Sequence, residues 1–196
     1  MNCKSANRSG AVFFQCRNSC HDSNNLFVNS SSDSHTGTFD DWLATNSIHS
    51  ASKYINSTTP GHFGIINIQD TPATVVTSCI FVNGSTGLHA GLLSFTMLSG
   101  RASVSNCIFA QGNATLWGGG FGTYAPYSGT PRPYFYFSYF SNNVCSDQNR
   151  GADFDANGTT GNYFSEDKII HCFSSSRGVR VYIQGKNTAA VNNWLN

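Results

Sequence analysis

The chain has 196 residues, of which 39% are apolar, 13% aromatic and only 11% charged, with a formal net charge of +1. Its length suits one domain with a real core, and the aromatic content is too high for a disordered chain. There is no basic run to attract nucleic acid or an anionic membrane, and no apolar stretch approaches the 18 residues of a membrane helix, so neither nucleic acid binding nor direct membrane insertion is expected.

The first fifteen residues, MNCKSANRSGAVFFQ, lack the long apolar run of an export signal. Gly10 leads into an alternating stretch with Val12 and Phe14, but nothing precedes it where later units carry an aromatic. The chain is therefore expected to start partway through a repeat, as a single domain over residues 1–196 cut from a longer solenoid. Flanking rungs of that longer chain would be its partners, and the isolated piece would associate through its uncovered ends.

From there the repeat is explicit. Phe27, Tyr54, Phe81 and Phe109 are each followed ten residues later by Gly37, Gly64, Gly91 and Gly119, and Gly10, Gly37, Gly64 and Gly91 are each 27 apart. The aromatics Phe27, Tyr54, Phe81, Phe109, Phe140 and Phe173 follow at 27, 27, 28, 31 and 33 residues. After each glycine comes an alternating apolar strand: Val12 and Phe14, Phe39, Ile66 and Ile68, Leu93 and Phe95, Phe121, Ala152 and Phe154, Val179 and Val181. In the last two units Arg150 and Arg177 are expected in the glycine column. A second apolar stretch (Val75 and Val76, Ala102 and Val104, Phe135 to Phe137, Ile169 and Ile170) precedes the aromatic, which opens a third. Three strands per 27 residues, joined by turns rich in Gly, Asn and Ser, predict an all-β parallel β-helix of about seven rungs. A leucine-rich repeat of similar period would need recurrent leucines, and the eight present are scattered.

Rungs five and six carry insertions, Ala125 to Pro133 and Ala156 to Asp167, expected to protrude on one flank where a partner could be gripped. Ser9-Gly-Ala-Val12 and Phe140-Ser-Asn-Asn143 resemble the paired Gly-Gly-Ala-apolar and F-x-x-N elements of polymorphic membrane protein passenger repeats and similar surface repeats. The resemblance implies a right-handed, pectate-lyase-like β-helix displayed outside the cell, and an adhesive role.

Among the seven cysteines, Cys79 and Cys107 share a register two residues before Phe81 and Phe109, predicting stacked buried thiols in neighbouring rungs, at a spacing that also permits a disulfide. No CxxC pair is present, and no metal or cofactor is implied. Asn29, Asn56 and Asn83 all lie two residues after the column aromatic, predicting an inward asparagine ladder closed to glycans. The six histidines fall mostly in turns, are read as sharing no offset, and are expected to be surface residues. Gly118-Gly-Gly-Phe-Gly122 lacks the lysine and the strand-to-helix setting of a phosphate loop.

The remaining chemistry lies on the outward side of the glycine-led strand, read as the columns Phe13, Asp40, Asn67, Ser94, Gly122, Asp153, Arg180 and Gln15, Trp42, Gln69, Thr96, Tyr124, Asp155, Tyr182. Asp153 and Asp155, two residues apart on one strand, would point the same way about 7 Å apart, the spacing of an inverting carboxylate pair. Arg180 one rung above would keep them ionised, leaving no general acid. The expected ligand face is Tyr124, Asp153, Asp155, Arg180 and Tyr182, with Asp153 and Asp155 as weak catalytic candidates. The leading function is an extracellular or cell-surface structural or interaction segment, adhesin- or stalk-like, that meets a glycan or a surface protein. The alternative is a carbohydrate-binding or carbohydrate-active β-helix.

Overall fold

A computed structural model describes residues 4–6, 8–15, 18–96, 100–125, 133–147, 150–158, 169–176, 181–183, 186–188 and 194–195. Among the described residues the rungs stack their strands into three sheets. The first sheet stacks the aromatic strands, among them Leu26–Ser32, Lys53–Thr59, Ile80–Thr86, Ile108–Ala110 and Tyr139–Ser141. The second stacks the glycine-led strands Val12–Gln15, Phe39–Trp42, Ile66–Gln69, Leu93–Thr96, Phe121–Ala125, Phe154–Gly158 and Val181–Ile183. The third contains Cys20–Ser23, Ser47–Ser50, Ala73–Thr77, Arg101–Ser105, Pro133–Tyr136 and Ile169–Ile170. Neighbouring rungs pair in parallel, as a solenoid of about five turns requires, fewer than the seven expected. At the C-terminal side Val181–Ile183 pairs antiparallel with Lys186–Thr188, and Trp194–Leu195 pairs in parallel with Cys172–Ser174 in the first sheet.

The predicted aromatic column forms. Phe27, Tyr54, Phe81, Phe109 and Phe140 pair in register, with successive ring centroids 5.2, 5.1, 4.9 and 4.8 Å apart and planes within 9° of parallel. Phe173 does not join it. Phe140 faces Ser174, while Phe173 pairs with Tyr139 and stacks on it at 5.1 Å. The inward position is held instead by Ser174, whose place is marked by buried Cys172 two residues earlier. Cys79 and Cys107 are buried free thiols, not a disulfide.

The glycine column exists because the backbone of one rung lies against the next. A Cβ on Gly64 would stand 1.9 Å from the carbonyl oxygen of Gly91, and one on Gly37 would stand 2.0 Å from that of Gly64. The sixth member of this column is Ala152, not Arg150, because Phe121 pairs with Phe154. This places every residue of the sixth and seventh second-sheet strands two positions later than the spacing suggested.

The asparagine ladder also forms, with Asn56 donating to Asn29 at 3.0 Å and Asn83 donating to Asn56 at 2.9 Å. It faces solvent rather than the interior. Each of these asparagines has a φ between 55° and 57°, a left-handed kink that breaks the in-out alternation of the strand and gives the inward place to Ser30, Ser57 and Gly84.

The interior is apolar in the middle rungs and polar towards both ends. Near the N-terminal side, Asp22, Asp41, His49 and Tyr54 are all buried. Asp22 accepts from the Tyr54 hydroxyl and, at 2.5 Å, from Asn25, while His49 Nδ1 lies 3.0 Å from the Tyr54 oxygen. Burial alone would raise the Asp22 carboxyl, but hydrogen bonds from His49, Tyr54, Asn25 and Ser52 outweigh it and hold it down at about 2. Burial pushes Asp41 up, against the opposing interactions of Ser47, His49 and Cys20. A carboxyl depressed on folding contributes stability above its unfolded pKa that is lost as pH falls through the folded one. For Asp22 the expected loss is about 2 kcal/mol between pH 4 and pH 2. Urea unfolding at stepped pH checks this, because Asp22→Asn should flatten that acid limb while leaving the pH dependence above 5 unchanged.

Candidate functional site

Two residues before each member of the glycine column stands one further column: Arg8, His35, His62, His89, Trp117 and Arg150. The turn carrying it is tied rung to rung by backbone hydrogen bonds, such as His89 N–H to the His62 carbonyl at 2.8 Å, and by the pairing of His89 with Trp117. The rings therefore form a ladder. Centroids are 5.4 Å apart from His35 to His62, 5.5 Å from His62 to His89 and 3.8 Å from His89 to Trp117, the last pair stacked at 18°. A guanidinium ends the ladder on each side. Arg150 lies 5.2 Å over Trp117, and Arg8 crosses to the opposite wall, 4.2 Å over Trp42.

That opposite wall is the end of the second-sheet strand, with Trp42, Gln69 and Thr96 in one column. Between the walls lies a cavity of about 350 Å³, open to solvent, lined by His35, His62, Phe63, His89 and Trp117 on one side and Gln69 and Thr96 on the other. Beneath it the outward residues Asp40, Asn67 and Ser94 are buried, and a hydrogen-bond chain crosses from wall to wall. Thr96 Oγ1 donates to Asn67 Oδ1 at 2.9 Å, Asn67 Nδ2 donates to Asp40 Oδ1 at 2.9 Å, and Asp40 Oδ2 lies 3.2 Å from His35 Nδ1. Buried polar groups joined in this way fix the walls that they connect. Burial and then the charge of His35 push the His62 pKa down, and burial, then His62 and Arg150, push that of His89 down to about 4. Both imidazoles are neutral near pH 7.

The two-residue slip moves Asp153 and Asp155 from the positions that the spacing suggested. Asp155, not Asp153, occupies the floor column, aligned with Gly122 and Tyr182. Arg150 grips it in bidentate fashion at 2.8 and 2.5 Å, with a third bond from Gly151 N–H at 3.2 Å. Burial pushes its pKa up to about 6, against the opposing hydrogen bonds and charge of Arg150. Asp153 precedes the strand at the corner column of Ile65, Leu92 and Gly120, where side chains turn inward. There it accepts from Asn143 at 2.9 Å, Ser176 at 2.6 Å and Ser174. The two carboxylates thus lie on opposite sides of the sheet, each fully buried and engaged, and do not form the outward pair that the spacing suggested. Arg180, the side chains of Tyr124 and Tyr182, and most of the two predicted loops, residues 126–132 and 159–168, lie outside the described residues.

The groove's main wall was readable from sequence and was missed. His35, His62 and His89 are each 27 residues apart, so the histidines do share an offset, and Trp117 and Arg150 extend it. Among the described residues, no three of His, Cys, Asp or Glu converge on one point as a closed metal site. No protein-family model, curated protein or solved structure matches the chain.

Proposed function

We propose that this chain is a non-catalytic binding segment of an extracellular or cell-surface β-solenoid, and that its second-sheet groove takes an extended oligosaccharide laid along the rod. The observation that carries this reading is the pairing of a ring-lined wall, His62, His89 and Trp117, with an amide and hydroxyl wall, Gln69 and Thr96, across a solvent-open cavity of about 350 Å³. Sugars present apolar C–H faces alongside hydroxyl groups, and sites that orient such ligands combine aromatic surface with a few fixed polar groups. Successive rungs repeat the same two walls, which suits a polymer more than a compact metabolite. A binding role is favoured over hydrolysis because Asp40, Asp153 and Asp155 are all buried and committed to internal hydrogen bonds, whereas glycoside hydrolysis needs two carboxyl groups facing one bond. The alternative partner, a cell-surface protein, would be expected at the two sequence insertions and not in the groove.

The test is affinity electrophoresis and a glycan array on the intact chain. Retention by at least one soluble polysaccharide is expected, and Trp117→Ala or Gln69→Ala should weaken it by about tenfold or more. Absence of glycan binding, or binding indifferent to both substitutions, would contradict the proposal.

A further inference from the structure

The imidazole ladder has a chemistry that saccharide binding does not use. His62 and His89 stand in adjacent rungs with ring centroids 5.5 Å apart and planes inclined by 39°. Two imidazole nitrogens bound to one tetrahedral ion at about 2.0–2.1 Å put their ring centroids roughly 5 Å apart, so the ladder holds these rings near the separation that a shared ion demands. His62 is exposed at the mouth of the groove, and Nδ1 of His89 is buried without a hydrogen-bond partner. No hydrogen bond at that atom fixes the His89 tautomer, so either ring nitrogen can carry the lone pair. One rung below, Asp40 lies 3.2 Å from Nδ1 of His35, in the manner of a carboxylate that orients a metal-binding histidine.

We propose that the groove wall binds a divalent transition-metal ion of the Cu(II), Ni(II) or Zn(II) type, bridged by one nitrogen each from His62 and His89, with solvent completing its coordination. Imidazole suits these ions. The site is open, with two protein ligands from neighbouring rungs, consistent with the absence of a three-residue cluster among the described residues. A metal with free coordination positions beside Gln69 and Thr96 could accept oxygen donors from a ligand in the groove. The proposal stands independently of the saccharide reading, because the ion is tested alone.

Titration of the purified chain with Ni(II) or Zn(II) chloride should show one site per chain. Cu(II) loading should give an electron paramagnetic resonance spectrum with superhyperfine splitting from two nitrogens. His62→Ala or His89→Ala should each weaken binding by about tenfold or more and reduce the splitting, while substitution of the exposed His171 should leave both readouts unchanged. Should His62→Ala fail to fold by circular dichroism, His62→Gln and His89→Gln serve in its place. Binding that survives both ladder substitutions, or no binding of the ions by the unsubstituted chain, would overturn the assignment.

Discussion

Gly64→Ala should be severely damaging, costing about 4 kcal/mol or more and leaving much of the chain unfolded at 25 °C. The added carbon would stand 1.9 Å from the Gly91 carbonyl oxygen and 2.7 Å from its carbon. Those atoms are backbone, fixed by the inter-rung ladder, so no rotamer change relieves the clash and the two rungs must separate. Gly122→Ala provides the control. There the new carbon meets the Ala90 Cβ at 3.0 Å and nothing else closer than 3.6 Å, so the cost should be far smaller. Urea denaturation followed by far-ultraviolet circular dichroism measures both. Equal midpoints for the two variants would mean that the rungs do not approach as described.

Phe81→Ala should cost about 3–5 kcal/mol, the range for a buried phenylalanine truncation. Phe81 has no exposed surface and is sandwiched between Tyr54 at 5.1 Å and Phe109 at 4.9 Å, so its removal leaves a cavity that neither neighbour can fill without leaving its own stack. In a solenoid each rung is held by its neighbours, and loss of a central interface uncouples the two sides. Phe27→Ala, at the partly buried start of the column, should cost less than half as much. The same denaturation experiment checks the ratio, and a broadened transition for Phe81→Ala would report the uncoupling.

The solenoid was legible in the sequence where packing demands the same residue type in every rung. The column from Phe27 to Phe140 and the glycines from Gly10 to Gly119 recur because an aromatic fills the same interior slot each time and because only hydrogen fits between the stacked backbones. Counting failed where inserted residues precede a strand. Nothing in the run from Arg150 to Asp155 marks the register except the match of Phe154 to Phe121, and alternation alone cannot separate Asp153 from Asp155. It failed again at Asn83, because a residue with positive φ reverses the parity on which in and out are assigned. The groove was overlooked for a different reason. His35, His62 and His89 lie in turns, where no strand periodicity draws attention, and their function as a wall arises only when the 27-residue step is applied outside the strands. The neutral state of His62 and His89 could not have been read from sequence, since it follows from burial and from the charges of neighbouring groups, Arg150 among them.

The account rests on rung-by-rung stacking that brings residues 27 apart in sequence into contact along the groove. Cysteine pairs placed in the ladder test it directly, with cross-links located by peptide mass spectrometry. His35→Cys with His62→Cys, and His62→Cys with His89→Cys, put two thiols in adjacent rungs roughly 5 Å apart between Cα atoms, inside the window for a disulfide. His35→Cys with His89→Cys puts them two rungs apart, roughly 10 Å, beyond it. The account predicts rapid oxidation of both adjacent pairs and none of the skipped pair. Failure of the adjacent pairs, or equal oxidation of all three, would contradict it.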